Sequence, residues 1–472
     1  MVSEYPDWVL KCKKKGIAIE KRGEKFYASR VTSVWDSKKK RARKKTLEYL
    51  GVVSPMGIIP SKSKKPIQLG GSLEAGNIAF VESFTKTISE SLSEIFPQDW
   101  ESLLAAAVLK LCYLEKLNRF SFRYETSLAK NFWPSATLSK NSITKLLERI
   151  GSQWELQRKF FEKISTNEKH MAIDLSQLFS YSKNIPLLEK GYNHEGMWIP
   201  QVTLLLLWGI SSKRPGYLKV LSGATSSAQT ISNLVKEARL KGVIAVVDKG
   251  FWSKENKEVF DKENSQYVMA LKRDLPFVDH KNSHNYKKYF RYNKQVQWWR
   301  KTEFENCIIY HVLDKRLAAE EEASCLELLE QKKITKKEFL KKKSQFGTIS
   351  LLTNTGLTAE ETYLLYKERQ SIEVAFDALK NTLGADTTWM QNQNSLRGYM
   401  FIAFLALHLY SQILDYLKRK KIQNKSVNDI LTYLTKIQVI TINKKTHLSP
   451  ITKQTKKILD ALELPITQNL GN

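Results

Sequence analysis

Three acids, Asp174, Asp248 and Glu373, with Tyr366, Arg369 and Lys380, have the residue types and spacing from which phosphodiester chemistry is built. Read as one helix at about 100° per residue, Tyr366, Arg369, Glu373 and Lys380 fall at roughly 0°, 300°, 340° and 320°, a stripe about 60° wide. That stripe sets a carboxylate, an oxygen donor for a metal, beside two cations and a phenol that can donate to phosphate oxygens. Leu365, Ile372, Phe376 and Leu379 fill an adjoining arc, so the helix can dock on a core with its polar stripe open. Arg369 and Glu373 also suit a plain i,i+4 surface ion pair. Asp377, at about 20° on the same wheel, competes with Glu373 for the carboxylate role.

The two upstream acids each close an apolar, strand-like run, residues 170–174 and 242–248. An acid at the end of a buried strand sits at the rim of a sheet, where the low dielectric stops and a metal can enter. Taken singly, each suits a helix cap or a turn as well. Gly250 after the second acid permits close backbone approach to a ligand. With Glu373 these acids supply three oxygen donors, the ligand type of Mg²⁺.

The spacing Tyr-x2-Arg-x3-Glu-x6-Lys resembles at every position the YREK signature of insertion-sequence DDE transposases of the IS-four superfamily. Asp174 and Asp248 stand in contexts similar to the family's first and second aspartates, the second followed by Gly250 and Phe251. Residues 218–225 and 395–399 also look like family landmarks, and the resemblance covers roughly residues 165–415. It implies a ribonuclease-H-like α/β catalytic domain in which Asp174, Asp248 and Glu373 hold two Mg²⁺ ions, with Mn²⁺ as a substitute. Tyr366, Arg369 and Lys380 then grip phosphates near the cut end. The implied partner is double-stranded DNA, at element ends and at the target, met by a homodimer in a synaptic complex. An insertion tryptophan that traps a flipped base is a further implied feature, for which Trp298 and Trp299 are the candidates.

Composition is compatible with that partner. Lys+Arg 76 against Asp+Glu 48 gives a formal net charge of +28, a footprint for a polyanion. The densest run contains Lys38, Lys39, Lys40, Arg41 and Arg43, candidate phosphate contacts that would equally form a solvated arm. Cys12, Cys112, Cys307 and Cys325 are far apart and form no metal-binding pair, which excludes a disulfide scaffold or zinc ribbon. His280 and His284 have i,i+4 spacing but no third soft ligand nearby. The beginning of the chain is polar and then basic, without the apolar core of a secretory signal. The apolar stretches 202–208 and 399–410 are shorter than the ~20 residues of a membrane span. A cytoplasmic, nucleoid-associated protein without a membrane partner is therefore expected.

The expected class is α/β: a ribonuclease-H-like catalytic domain with a β-rich insertion, a small β-rich N-terminal module and a helical block. Residues 1–53 form the basic module, with a hairpin about Arg22 and Gly23, and 54–71 a Pro/Gly/Ser/Lys-rich linker. Residues 72–165 read as helices, with 80–96 as one of them, Asp99 as the cap of the next, and a long amphipathic pattern over 139–164. That block suits either a DNA reader or a packing collar. Residues 166–275 and 346–417 make up the catalytic domain, including a helix over 227–240 and a closing helix over 399–417. Residues 276–345 are the insertion and 418–472 a basic tail. The expected function is a transposase that binds element ends, cleaves DNA and joins 3′ ends to target DNA. A metal-dependent nuclease of the same fold, or an inactive DNA-binding derivative, remains the alternative.

Overall fold

The computed structural model describes residues 5–463 apart from 38, 61–68, 193–197, 224, 226–233, 235–236, 238–241, 279–285, 386, 389, 423 and 444. Lys38, His280, His284 and nearly all of the helix expected over 227–240 lie outside the described residues. The chain divides into two compact units, residues Met1–Gly70 with Ile442–Lys445, and Gly71–Thr441 with Thr446–Asn472.

In the first unit, alternating apolar residues and a left-handed Gly23 (φ 60°) produce the expected hairpin of β1 (Ile17–Arg22) and β2 (Lys25–Asp36). β3 (Arg41–Ser54) and β4 (Gly57–Pro60) continue it as a four-stranded antiparallel meander around Val9, Phe26, Ala28 and Val53. β4 lies within the segment expected to be a linker. It pairs with the inner end of β3, from Gly51 to Ser54, so that part of the segment is sheet. β5 (Leu69–Glu74) leads into the second unit.

The expected helical block is present with different boundaries. The first helix ends at Glu82 and a second runs Lys86–Ile95, because Ser83 and Thr85 turn their hydroxyls back onto the carbonyls of Phe80 and Glu82. Asp99 does not cap the helix Trp100–Tyr113. Its carboxylate instead takes the Arg149 fork, with Nε at 2.9 Å, an interaction with a residue fifty positions away. The long pattern over 139–164 splits at Gln153 into Lys140–Ser152, capped by Ser139, and Trp154–Ile164. These helices enclose Gln393–Arg419, which is long and apolar enough to cross a membrane, although 72% of its most apolar window is buried within the protein. Phe160 and Phe161 stack edge-on against Phe401 and Phe404. The block thus packs as a collar on this core helix.

Glycine sets how close the helices come. A Cβ on Gly398 would collide with the backbone carbonyl of Leu147, and one on Gly151 with that of Asn394. Neither neighbour is a flexible side-chain end. Gly398→Ala is expected to destabilise the larger unit by about 2 kcal/mol, seen as an earlier denaturant midpoint.

Among the described residues the main sheet has eleven strands. β6 (His170–Ser180) pairs antiparallel with β8 (Trp198–Gly209), whose far edge carries β7 (Glu189–Tyr192) and β9 (Arg214–Ser222). On its other side β6 pairs in parallel with β10 (Ile244–Val247), and β10 with β11 (Gln266–Leu271). β12 (Lys288–Tyr292), β13 (Gln295–Phe304), β14 (Cys307–Asp314) and β15 (Thr348–Thr353) follow, and β15 pairs with β11. The strands of the expected insertion therefore extend the main sheet. β16 (Thr387–Thr388) joins β6 at Phe179 and Ser180.

Candidate active site

Asp174 is not at a strand end, as its sequence context suggests, but is the fifth residue of β6. It is the parallel neighbour that stops. Val247 of β10 pairs with Ile173, after which β10 leaves the sheet at Asp248 for a short 3₁₀ turn, Lys249–Phe251. β16 joins this edge of β6 only at Phe179. The register thus sets Asp174 and Asp248 side by side where the ladder opens.

Glu373 reaches this opening from a run that is not one uniform helix. A Thr358–Glu361 capping box starts Ala359–Glu368, and a second helix spans Ser371–Asp377. Between them the Arg369 and Gln370 amides bond three residues back, to Tyr366 and Lys367 at 3.2 Å, which tightens the turn. After Asp377 the chain widens into a π turn, Ala378–Thr382, that carries a half-buried Lys380. The wheel at 100° per residue therefore fails on both sides of Glu373. The tight turn nevertheless aims Arg369 at all three acids, its terminal nitrogens lying 3.4 Å from Asp174, 3.8 Å from Asp248 and 3.0 Å from Glu373. The Tyr366 hydroxyl donates to Asp248 at 2.9 Å. Asp377 is tied to its own helix, accepting from the Asn381 amide at 2.7 Å.

This is a concentration of negative charge held by one buried guanidinium. Burial pushes the Asp174 carboxyl up from 3.8 to about 6; the Leu175 amide and Arg369 oppose the shift, while Asp248 and Glu373 add to it. Burial and the Asp248 charge raise the Tyr366 phenol, which keeps it a proton donor. The Arg369 Nε is buried without a hydrogen-bond partner, since the fork is committed to the acids. A carboxyl whose folded pKa exceeds its unfolded value destabilises the fold once it ionises. The penalty is absent below about pH 4 and complete above about pH 7, with a full size of roughly 3 kcal/mol. In chelator, the stability of Asp174→Asn relative to wild type should therefore rise by about 2–3 kcal/mol across that window, read from denaturant melts.

A cavity of about 640 Å³ opens from Asp248 and Tyr366 along the sheet face. Lys249, Lys272, Arg273 and Lys367 line it with Asp274, Asp314 and Glu321, and the sequence reading singled out none of these four cations. The available signal was position: Lys249 follows the second acid, Lys272 follows the end of the neighbouring β11, and Lys367 follows Tyr366. The two candidate tryptophans occupy opposite faces of β13. Trp299 packs in the cluster that contains Tyr363 and Tyr366, on the face of the site, and its ring meets that of Tyr310 edge-on. Trp298 lies on the other face beside Tyr289 and under the Lys315 ammonium.

The donor chemistry fits a hard divalent cation. Three carboxylates converge on one positive group, and the most buried of them resists ionisation. Among the described residues no three His, Cys, Asp or Glu side chains close on a single ion as they stand. Arg369 lies among the three acids instead.

No curated protein matches the chain. Among solved structures it is similar to a piggyBac transposase synaptic complex with hairpin DNA, at 13% identity over 85% of this chain and 87% of that one, with a TM-score of 0.40. It is also similar to a Mos1 transposase paired-end complex with the left transposon end, at 14% identity over 32% and 53% of the two chains, with a TM-score of 0.16. Both likenesses are too weak to carry an argument about this molecule. The model of the transposase DDE domain family matches residues 168–409, more than half of the 472 residues, and spans all three acids with Tyr366, Arg369 and Lys380; the chain belongs to that family.

Proposed function

We propose that this transposase is of the YREK insertion-sequence type, with a ribonuclease-H-like catalytic domain that cleaves element ends and joins the freed 3′ ends to target DNA. The observation that carries this reading is the convergence of Asp174, Asp248 and Glu373 on the Arg369 guanidinium. The three acids hold two Mg²⁺ ions, for which Mn²⁺ can substitute. Bound there, the metal supplies activation of a water or 3′-hydroxyl and stabilisation of the leaving oxygen. Tyr366 fixes the Asp248 carboxylate through its hydroxyl. The Arg369 guanidinium, among the acids, would offer its fork to phosphate oxygens of the bound end, and Lys380 would add a point charge.

Lys249, next to Asp248, and Lys367, next to Tyr366, contact the DNA backbone where the cavity opens at the acids. Trp299, on the face of the site, is the preferred base-stacking residue. Lys39, Lys40, Arg41 and Arg43 add contacts to DNA, and two copies of the chain act together on paired ends in the nucleoid. The test is a Mg²⁺-dependent assay of the purified protein on labelled DNA carrying the ends of its own locus plus a target plasmid, with Asp174→Asn in parallel. Joined product from the wild type alone is the expected result. Cleavage without joining would replace this reading with a nuclease, and full activity of Asp174→Asn would remove the acid from the site.

A further inference from the structure

The outer parts of β2 and β3 leave the small sheet as a free two-stranded ribbon. β1 pairs only with β2 residues 25–30, and β4 only with β3 residues 51–54. Among the described residues no third strand lies beside 32–36 and 41–45, Val31 still donating to the Gly16 carbonyl at 2.7 Å, and most side chains on both faces of the ribbon are exposed. Two register shifts, beside Ala28 and Arg30, mark the point where the ribbon departs and increase its twist. At the tip the Asp36 carboxylate accepts the Lys39 amide at 3.1 Å, and Lys40 turns the chain at φ 42°.

A ribbon open to water is a natural place for charge but a poor one for a large apolar side chain such as Trp35, 67% exposed, and the charge of this one is strongly biased. Residues 31–46 contain seven cations and one acid. The register divides them unequally. Thr32 faces Lys45, Val34 faces Arg43 and Asp36 faces Arg41, so one face carries two arginines and a lysine. The opposite face, with Trp35 across from Ala42, carries Lys44 alone among the paired residues. Alternate residues of a strand are about 6.8 Å apart, which is two base-pair steps of about 3.4 Å. Strands about 4.8 Å apart form a ribbon that enters a major groove about 12 Å wide.

We propose that this ribbon reads DNA sequence in the major groove, with Arg41 and Arg43 donating to guanine edges two base pairs apart and Lys39, Lys40 and Lys44 on the flanking phosphates. The inference rests on the reading of the chain as a DNA-acting protein, but it concerns recognition and not cleavage. Bidentate donation to guanine O6 and N7 needs the planar fork of arginine, whereas phosphate contact needs only charge.

The test is selection of bound duplexes from a random-sequence library by the full chain in chelator, where no cutting intervenes. Wild type is expected to enrich a motif containing two guanines two base pairs apart. Arg41→Lys with Arg43→Lys should bind the library at near-wild-type strength yet lose the preference at both positions, at least tenfold in relative enrichment. Lys44→Ala should keep the motif and lower the slope of log affinity against log salt by about 1. The same guanines enriched by the double variant, or no motif enriched by wild type, would overturn the proposal. Because binding alone is read, failure of the cleavage assay and failure of this selection are separate results.

Discussion

Glu373→Gln is expected to lower DNA cleavage by about a thousandfold or more while leaving duplex binding unchanged. The substitution preserves the volume of the side chain and one oxygen, and removes the charge. The Glu373 side chain is 53% exposed, so its neutralisation imposes little cost on folding and the loss is assignable to chemistry. Asp377→Asn is the control. It lies one turn further along but is engaged with Asn381, and its neutralisation should leave cleavage within about twofold. The paired measurement is single-turnover cleavage and anisotropy binding on one labelled end. Full cleavage by Glu373→Gln, or an equal loss from Asp377→Asn, would move the third carboxylate elsewhere.

The second large effect concerns Arg369. Its guanidinium is buried, and its removal leaves Asp174, Asp248 and Glu373 facing one another without a positive group between them. In chelator, Arg369→Met should cost about 3–5 kcal/mol, as breaking a buried charge arrangement does. Saturating Mg²⁺ should recover most of that loss, because a cation on the acids replaces what the arginine supplied. Wild type should gain less from Mg²⁺ than the variant. Denaturant melts of both proteins with and without metal provide the comparison. An equal deficit in chelator and in Mg²⁺ would mean that arginine and metal do not share the same carboxylates.

Much of this site was legible in the sequence because its signals are local. The apolar runs before Asp174 and Asp248 are strands, and the Tyr-x2-Arg-x3-Glu spacing does bring Tyr366 and Arg369 onto the two aspartates, with Glu373 joined to them through Arg369. What local patterning missed depends on distant partners or on small departures from ideal geometry. Nothing near Asp99 announces Arg149, so a good capping residue became an ion-pair partner. No glycine or proline marks the tight turn at Arg369 and Gln370, and both residues stay in the right-handed helical region. The continuation of β6 past Asp174 was hidden because residues 174–177 are only half-buried after β10 departs, and the run of apolar residues ends there. The split between the two tryptophans followed from the alternation of adjacent strand residues, but which face held the site was fixed only by the packing of Ala359–Glu368.

The pairing of Val247 with Ile173 also bears on which length changes the chain can accept. Segments joining the strands can grow or shrink without moving either aspartate, since loop closure costs little per added residue. One residue added inside β10, or inside β6 ahead of Asp174, would turn the affected carboxylate to the opposite side of the sheet, away from Arg369. Descent with insertions and deletions can therefore reshape nearly everything around this centre while two stretches of four residues, 170–173 and 244–247, keep a fixed count.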